Sequence, residues 1–276
     1  MADSEGLQQV RLTPGDEAEA MALSREAGWN QLPGDWRHFI EEGQTLGLRD
    51  RSGRLVATGA ALPYDGPFGF VSMVIVSETM RRRGLATSLV EECTRHLRQL
   101  GLVPILDATE QGQPVYERQG FLPQFRYDRW EIAGDGPAPV NAPAFPAGPE
   151  DIARLDSGAF GARRPALLTA FLSRPDTIVV SEGTSGFALL RRGSRAWQAG
   201  PVISDTEDAA LRLLGRLPIG AVPLFIDVPQ RWRKIGAWLK AQGFAIQRSF
   251  ARMGLHRQAP FGRPDTLFAT AGPEFG

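Results

Sequence analysis

The sequence has few of the residues from which many functional sites are built: 276 residues contain one cysteine and three histidines. A lone thiol, Cys93, cannot close an internal disulfide, so a reducing cytoplasm is the simplest compartment. His38, His96 and His256 are scattered and, with one cysteine, lack the spacing of a metal site. No apolar run approaches the roughly 20 residues of a membrane-spanning helix. The acidic start Met1-Ala2-Asp3-Ser4-Glu5 lacks the apolar segment of a signal peptide. Neither sign of charge dominates, since 31 basic residues balance 31 acidic ones, which argues against a general nucleic-acid binder. Lysine is scarce, with Lys234 and Lys240 the only two, and this bias carries no mechanism.

What is present describes a soluble globular chain, 42% apolar and 22% charged, long enough for two domains of about 130 residues. Four prolines and three glycines fall in the aperiodic stretch 133–148, which reads as a linker. The expected layout is therefore a domain over 1–132, the linker, a second domain over 149–256 and a C-terminal tail over 257–276. In the first domain the patterns predict helices near 15–27 and 33–42 and strands near 45–50, 54–62 and 68–76. A long helix over 84–100, a strand over 103–108, a short helix through 115–118 and a strand near 124–132 follow. The fold class is α/β, a central mixed sheet flanked by helices. Leu85, Leu89, Cys93 and Leu97 recur four apart on one helix face, which makes Cys93 a core residue.

The densest chemical signal is the run Val74-Ile75-Val76-Ser77-Glu78-Thr79-Met80-Arg81-Arg82-Arg83-Gly84-Leu85-Ala86, an apolar strand that passes through a basic turn into a helix. A helix N-terminus offers backbone N–H groups without intrahelical acceptors and partial positive charge, and the arginines add full charge. The natural ligand is a pyrophosphate. Gly84 lets the backbone approach it closely.

Three short matches recur in the same order in the second half. Ser77-Glu78-Thr79 returns as Ser204-Asp205-Thr206, Asp107 as Asp227 after an apolar strand, and Gln119-Gly120-Phe121 as Gln242-Gly243-Phe244. They indicate a duplicated fold. After Ser204-Asp205-Thr206, however, come Glu207 and Asp208 rather than arginines and a glycine. Carboxylates there complement the helix dipole themselves and repel a pyrophosphate, so only the first half is expected to bind one.

The arrangement Arg81-Arg82-Arg83-Gly84-Leu85-Ala86 resembles the signature of the GCN5-related N-acetyltransferases: Gln or Arg, two residues, Gly, one residue, then Gly or Ala. A second family element, Tyr-x-x-x-Gly-Phe, is matched by Tyr116-Glu117-Arg118-Gln119-Gly120-Phe121. The resemblance covers about residues 5–132, and the second half resembles the diverged second domain of tandem members. It implies acetyl-CoA as cosubstrate, held by Val74, Ile75, Val76, Arg81, Arg82, Arg83, Gly84, Leu85, Ala86, Thr87 and Thr109. Tyr116 is implied as the general acid that serves the departing thiolate. Thr109 stands where members often carry a cofactor-contacting asparagine, and residues 68–76 hold no ionisable side chain where many members place a glutamate base. His38, Asp65, Glu78 and Asp227 are the remaining base candidates. Each of them also has an ordinary structural role, Asp227 that of a turn or helix cap before Pro229. Trp29 and Trp36 either wall an amine pocket or pack in the core, and 160–163 reads as a glycine turn.

The function expected from all this is N-acetylation of a primary amine on a small molecule, with no nucleic-acid or membrane partner and a monomer or homodimer as the assembly. The rival is a non-catalytic acyl-CoA-binding or sensing protein.

Overall fold

The computed structural model describes residues 6–136 and 148–276, so most of the expected linker, 137–147, lies outside the described residues. The chain divides into two compact units, Met1–Leu106 and Asp107–Gly276.

The first unit begins with β1 (Gln8–Arg11), a short strand the sequence pattern misses, and continues through α1 (Glu17–Glu26) and α2 (Pro33–Glu42). The strands β2 (Gln44–Arg49), β3 (Leu55–Pro63) and β4 (Phe68–Val76) follow, then α3 (Leu85–Gln99) and β5 (Val103–Thr109), whose last three residues belong to the second unit. Strands β1 to β4 are antiparallel neighbours in chain order, and β5 runs parallel to β4. The central strand β3 is buried over nearly its whole length, with α1, α2 and α3 all packed on it. Cys93 is fully buried on α3 beside Leu89, Val90 and Leu97. Burial pushes its thiol up to about 12, with Glu92 adding to the effect.

The second unit contains α4 (Gln113–Arg118), β6 (Phe121–Ile132), α5 (Pro149–Phe160), α6 (Pro165–Leu172), β7 (Ile178–Ser181), β8 (Gly186–Arg191) and β9 (Trp197–Ser204). Next come α7 (Glu207–Leu214), β10 (Leu224–Pro229), α8 (Arg233–Ala241), β11 (Ala245–Leu255) and β12 (Leu267–Ala269). Its strands lie in the order β11-β6-β10-β9-β8-β7, with β12 on β9. The sheet is mixed: β10 runs parallel to β9 and antiparallel to β6. One continuous core of aliphatic and aromatic side chains from β8, β9, β10, α7 and α8 includes Leu190, Val202, Leu213, Ile226 and Leu239.

The repeat is visible in local geometry. Both Gln-Gly-Phe segments end a helix, with left-handed glycines at φ 91° for Gly120 and 92° for Gly243, and both lead into a long strand. Nine residues beyond each glycine stands an arginine, Arg129 on β6 and Arg252 on β11. Each holds the buried aspartate of the opposite repeat. Arg129 donates to both carboxylate oxygens of Asp227 at 2.8 Å, and Arg252 to both of Asp107 at 2.9 and 2.8 Å. Between them Tyr127 and Phe250 face each other in register, their rings stacked at 5.1 Å. The two last strands of the repeats are thus paired side by side.

Candidate active site

Strand β4 carries a bulge just before the predicted donor-facing residues. Thr58 opposes Ile75 while Ala60 opposes Ser72, so two residues of β4 face one of β3. Met73 takes φ 53°, a left-handed conformation that a long side chain rarely adopts, and its carbonyl accepts a hydrogen bond from Thr58 Oγ1 at 2.8 Å. A bulge bends and twists its strand. The parallel pairing of β4 with β5 covers Phe68–Phe70 against Val103–Ile105. Beyond it β4 continues through Val74 and Val76, both half-buried, with Ile75 buried between them.

The turn that follows uses its early amides internally. Ser77 N–H bonds to Val56 O at 2.9 Å, Glu78 N–H to the Glu26 carboxylate at 2.6 Å, and Met80 N–H to Ser77 O at 2.9 Å. From Arg82 the geometry changes. Arg82 and Gly84 both have positive φ, 63° and 77°, and Gly84 is the N-cap of α3. A glycine takes that conformation without the roughly 1–2 kcal/mol an L side chain incurs. The first helical bond is Ser88 N–H to Gly84 O at 3.1 Å, so the amides of Leu85, Ala86 and Thr87 precede it. The cap has no side chain to occupy them and no acidic residue stands in the first turn.

Around this N-terminus the three arginines differ. Arg81 Nε donates to Val76 O at 3.3 Å, folding back on the strand end, and its guanidinium stays exposed 3.9 Å from Glu78. Arg82 is exposed, and Arg83 is half-buried with Nη1 on Met80 Sδ at 3.4 Å. A glycine-capped helix N-terminus beside exposed arginines is an arrangement that favours an anion.

In the second unit Thr109 and Tyr116 come together around Gly112. A Cβ on Gly112 would lie 3.0 Å from Tyr116 Cε2 and 3.4 Å from Thr109 Oγ1. Thr109 Oγ1 also accepts a hydrogen bond from Gly112 N–H at 3.2 Å, tying the end of β5 to the start of α4. Tyr116 is half-buried with its ring edge-on to Phe121 at 6.3 Å, and burial raises its phenol above the ordinary value. It is therefore a protonated phenol throughout the neutral range.

The base candidates separate. Asp227 is not a turn or helix cap: it is fully buried, chelated by Arg129 and further bonded by Gln198 Nε2 at 3.0 Å. Burial alone would lower the arginine's pKa, but Asp227 holds it above its ordinary value. Both carboxylate oxygens of Asp227 are thus engaged inside the core. His38 is buried on α2, edge-on to Phe39 at 6.2 Å, and Glu78 is exposed. Trp36 is a core residue, fully buried with Nε1 on Ser24 Oγ at 3.0 Å, whereas Trp29 is half-buried. The turn at Gly161 packs backbone against backbone on Gly262.

Two family models match the chain, the acetyltransferase (GNAT) family over residues 14–121 and an acetyltransferase (GNAT) domain over residues 152–269. The chain belongs to the GNAT acetyltransferase family. It has two GNAT domains in tandem, each with a mixed sheet flanked by helices. Among solved structures, a candidate acetyltransferase from Pyrococcus horikoshii superposes with a TM-score of 0.81 at 20% identity, covering 99% of this chain and 96% of that one. A GCN5-related N-acetyltransferase from Sphaerobacter thermophilus gives 0.61 at 17% identity over 94% and 97% of the two chains. A tandem GNAT protein from the clavulanic acid biosynthesis pathway gives 0.62 at 12% over 90% and 98%. No curated protein matches the sequence.

The second GNAT domain repeats the strand geometry and fills it differently. Strand β9 pairs in parallel with β10 over Trp197–Ala199 against Leu224–Ile226, as β4 does with β5. Beyond that point β12 pairs with β9, setting Leu267 against Ile203 and Ala269 against Val202, while Thr270 N–H bonds to Asp227 O of β10 at 3.0 Å. The helix that follows, α7, is capped by Thr206 Oγ1 on Ala209 N–H at 3.2 Å and carries Glu207 and Asp208 in its first turn. A side-chain cap and two carboxylates thus stand where α3 has a glycine cap and arginines.

Proposed function

We propose that this GNAT protein is an acetyl-CoA-dependent N-acetyltransferase that acylates a primary amine of a small molecule by direct attack. The observation that carries the reading is the N-terminus of α3, capped by left-handed Gly84, free of acidic residues in its first turn and flanked by exposed Arg81 and Arg82. Those features fit a pyrophosphate, which Arg81, Arg82, Arg83 and the amides of Gly84, Leu85, Ala86 and Thr87 would hold. Val74, Ile75 and Val76 would face the donor's pantetheine arm. Acetyl-CoA supplies an activated thioester. A strand N–H polarises its carbonyl, the oxyanion logic of acyl transfer.

An amine with a pKa near 10.4 costs roughly 4–5 kcal/mol to deprotonate at pH 7, at about 1.36 per unit. Strand β4 has no ionisable side chain to help, so either water takes the proton or the acceptor has a pKa low enough to arrive neutral. Tyr116 acts as general acid toward the thiolate, burial keeping its phenol protonated at neutral pH, and Thr109 supports the segment that carries it. The catalytic GNAT domain spans 1–132, joined through 133–148 to a second domain over 149–256 and the segment 257–276. The second domain serves the acceptor, in a cytoplasmic monomer or homodimer.

The test is CoA release on a panel of amines, with acetyl-CoA binding measured in parallel. The bare β4 favours one other reading, an acyl-CoA sensor, which predicts binding without turnover on any amine.

A further inference from the structure

In the second domain the groove between β9 and β10 is occupied by the chain itself. By the match of Ser77 with Ser204, residues 201–203 are the counterparts of Val74, Ile75 and Val76. Those residues bind β12: Leu267 and Ala269 pair with Ile203 and Val202, and Thr270 N–H crosses to Asp227 O on the other wall. The occupant is firmly seated. Trp232 Nε1 donates to Leu267 O at 2.7 Å, and its ring lies 4.3 Å from that of fully buried Phe268. Further along, Arg191 donates to Ala271 O, and Arg164, anchored on Asp156, donates to Phe275 O and Gly276 O at 2.9 and 3.0 Å. Gly200, at φ 141°, marks the place where β9 leaves β10, and a Cβ there would strike the Thr270 carbonyl. Wall and occupant are fitted to each other.

We propose that the second domain's groove is a peptide-binding groove of the strand-addition type, whose resident ligand is the chain's own segment 264–276 in place of an acyl donor. Strand addition gives affinity through main-chain bonds and selectivity through side-chain pockets, here the Trp232 pocket for Phe268. That this groove corresponds to a donor groove rests on the proposed function of the first domain; that it takes a peptide rests on the geometry above.

The two parts are tested separately. Acetyl-CoA titrated calorimetrically is expected to bind once per chain, and Gly84→Glu to leave no binding. A site that survives Gly84→Glu would overturn the replacement of donor by peptide. Failure of the unmodified chain to bind acetyl-CoA would sink the donor site of the first domain, and the peptide groove would stand or fall on the second arm. For that arm, a protease site is placed between exposed Gln258 and Ala259 of the full chain and cut after folding. The 264–276 segment should stay bound through gel filtration and exchange with a fluorescent peptide of the same sequence. Because a charge has no place in the Trp232 pocket, a peptide carrying Phe268→Asp should compete about tenfold or more worse. In the uncut chain Phe268→Asp should red-shift Trp232 emission and speed proteolysis of 264–276 by about tenfold or more. Equal competition by the two peptides, or an unchanged proteolysis rate, would overturn the proposal.

Discussion

Arg252 reaches back 145 residues to grip Asp107 with two nitrogens, and Arg129 grips Asp227 in the same way across the pseudo-symmetric partner strand. Both carboxylates are fully buried in their side chains, so each arginine neutralises a charge that water does not reach. Removing one partner of such a pair leaves the other uncompensated. Arg252→Ala or Arg129→Ala should each destabilise the fold by about 3–5 kcal/mol in urea unfolding. An Asp107→Leu/Arg252→Met double replacement should be milder than the sum of its singles. Additive losses would mean that the two side chains do not act as a pair.

The α3 N-terminus predicts two separable effects at one position. Gly84→Ala should cost about 1–2 kcal/mol of stability from the left-handed backbone and retain some acetyl-CoA affinity. Gly84→Glu should abolish binding, because a carboxylate would compete for the same amides. Calorimetric titration beside thermal unfolding distinguishes the two.

Tyr116→Phe should lower kcat by about 10²–10⁴-fold and leave acetyl-CoA affinity nearly unchanged. Since burial raises the phenol above its ordinary value, it is protonated at neutral pH and loses its proton only on the far alkaline side. The rise of kcat/KM with pH therefore reports deprotonation of the acceptor amine, and the Phe variant should keep that limb at a lower plateau. A limb that disappears in the variant would reassign the titration to Tyr116.

Cys93 should be inert in the folded protein. With its thiol pushed up to about 12, it should not react with an aromatic disulfide reagent near the ordinary thiol pKa of about 8.5, yet react fully in denaturant.

Gly200→Val should destabilise the second unit by about 1–3 kcal/mol, from its φ of 141° and the collision with Thr270. Differential hydrogen exchange should place the loss at residues 264–276.

Elements with a strong local pattern were legible in the sequence. The helix α2 at Pro33–Glu42 and the strand β4 at Phe68–Val76 fall where the apolar pattern puts them, and Cys93 is in the core its four-residue spacing predicts. The basic glycine turn that starts α3 was legible because its residues are contiguous. What escaped depends on distant partners. Strand β1 has almost no buried face to produce an alternating pattern, and the bulge at Met73 is set by pairing with β3. Asp227 looks like a cap before proline until Arg129, 98 residues away, is brought to it. Even so, the nine-residue interval from Gly120 to Arg129 and from Gly243 to Arg252 was a readable signal for the two arginines. The last residues, rich in glycine and proline, read as a tail because only β9, β10 and Trp232 make a strand of them.

The side-by-side placement of β6 and β11 sets an order of events during synthesis. Strand β6 is complete at Ile132, yet its hydrogen-bonded neighbours β10 and β11 begin at Leu224 and Ala245. At about 5–20 residues per second on the ribosome, β6 waits roughly 5–20 s with both edges unsatisfied. Until then it is a sticky template for other nascent chains. Slower translation across 133–223 should lengthen that exposure and increase misassembly between chains on the same messenger.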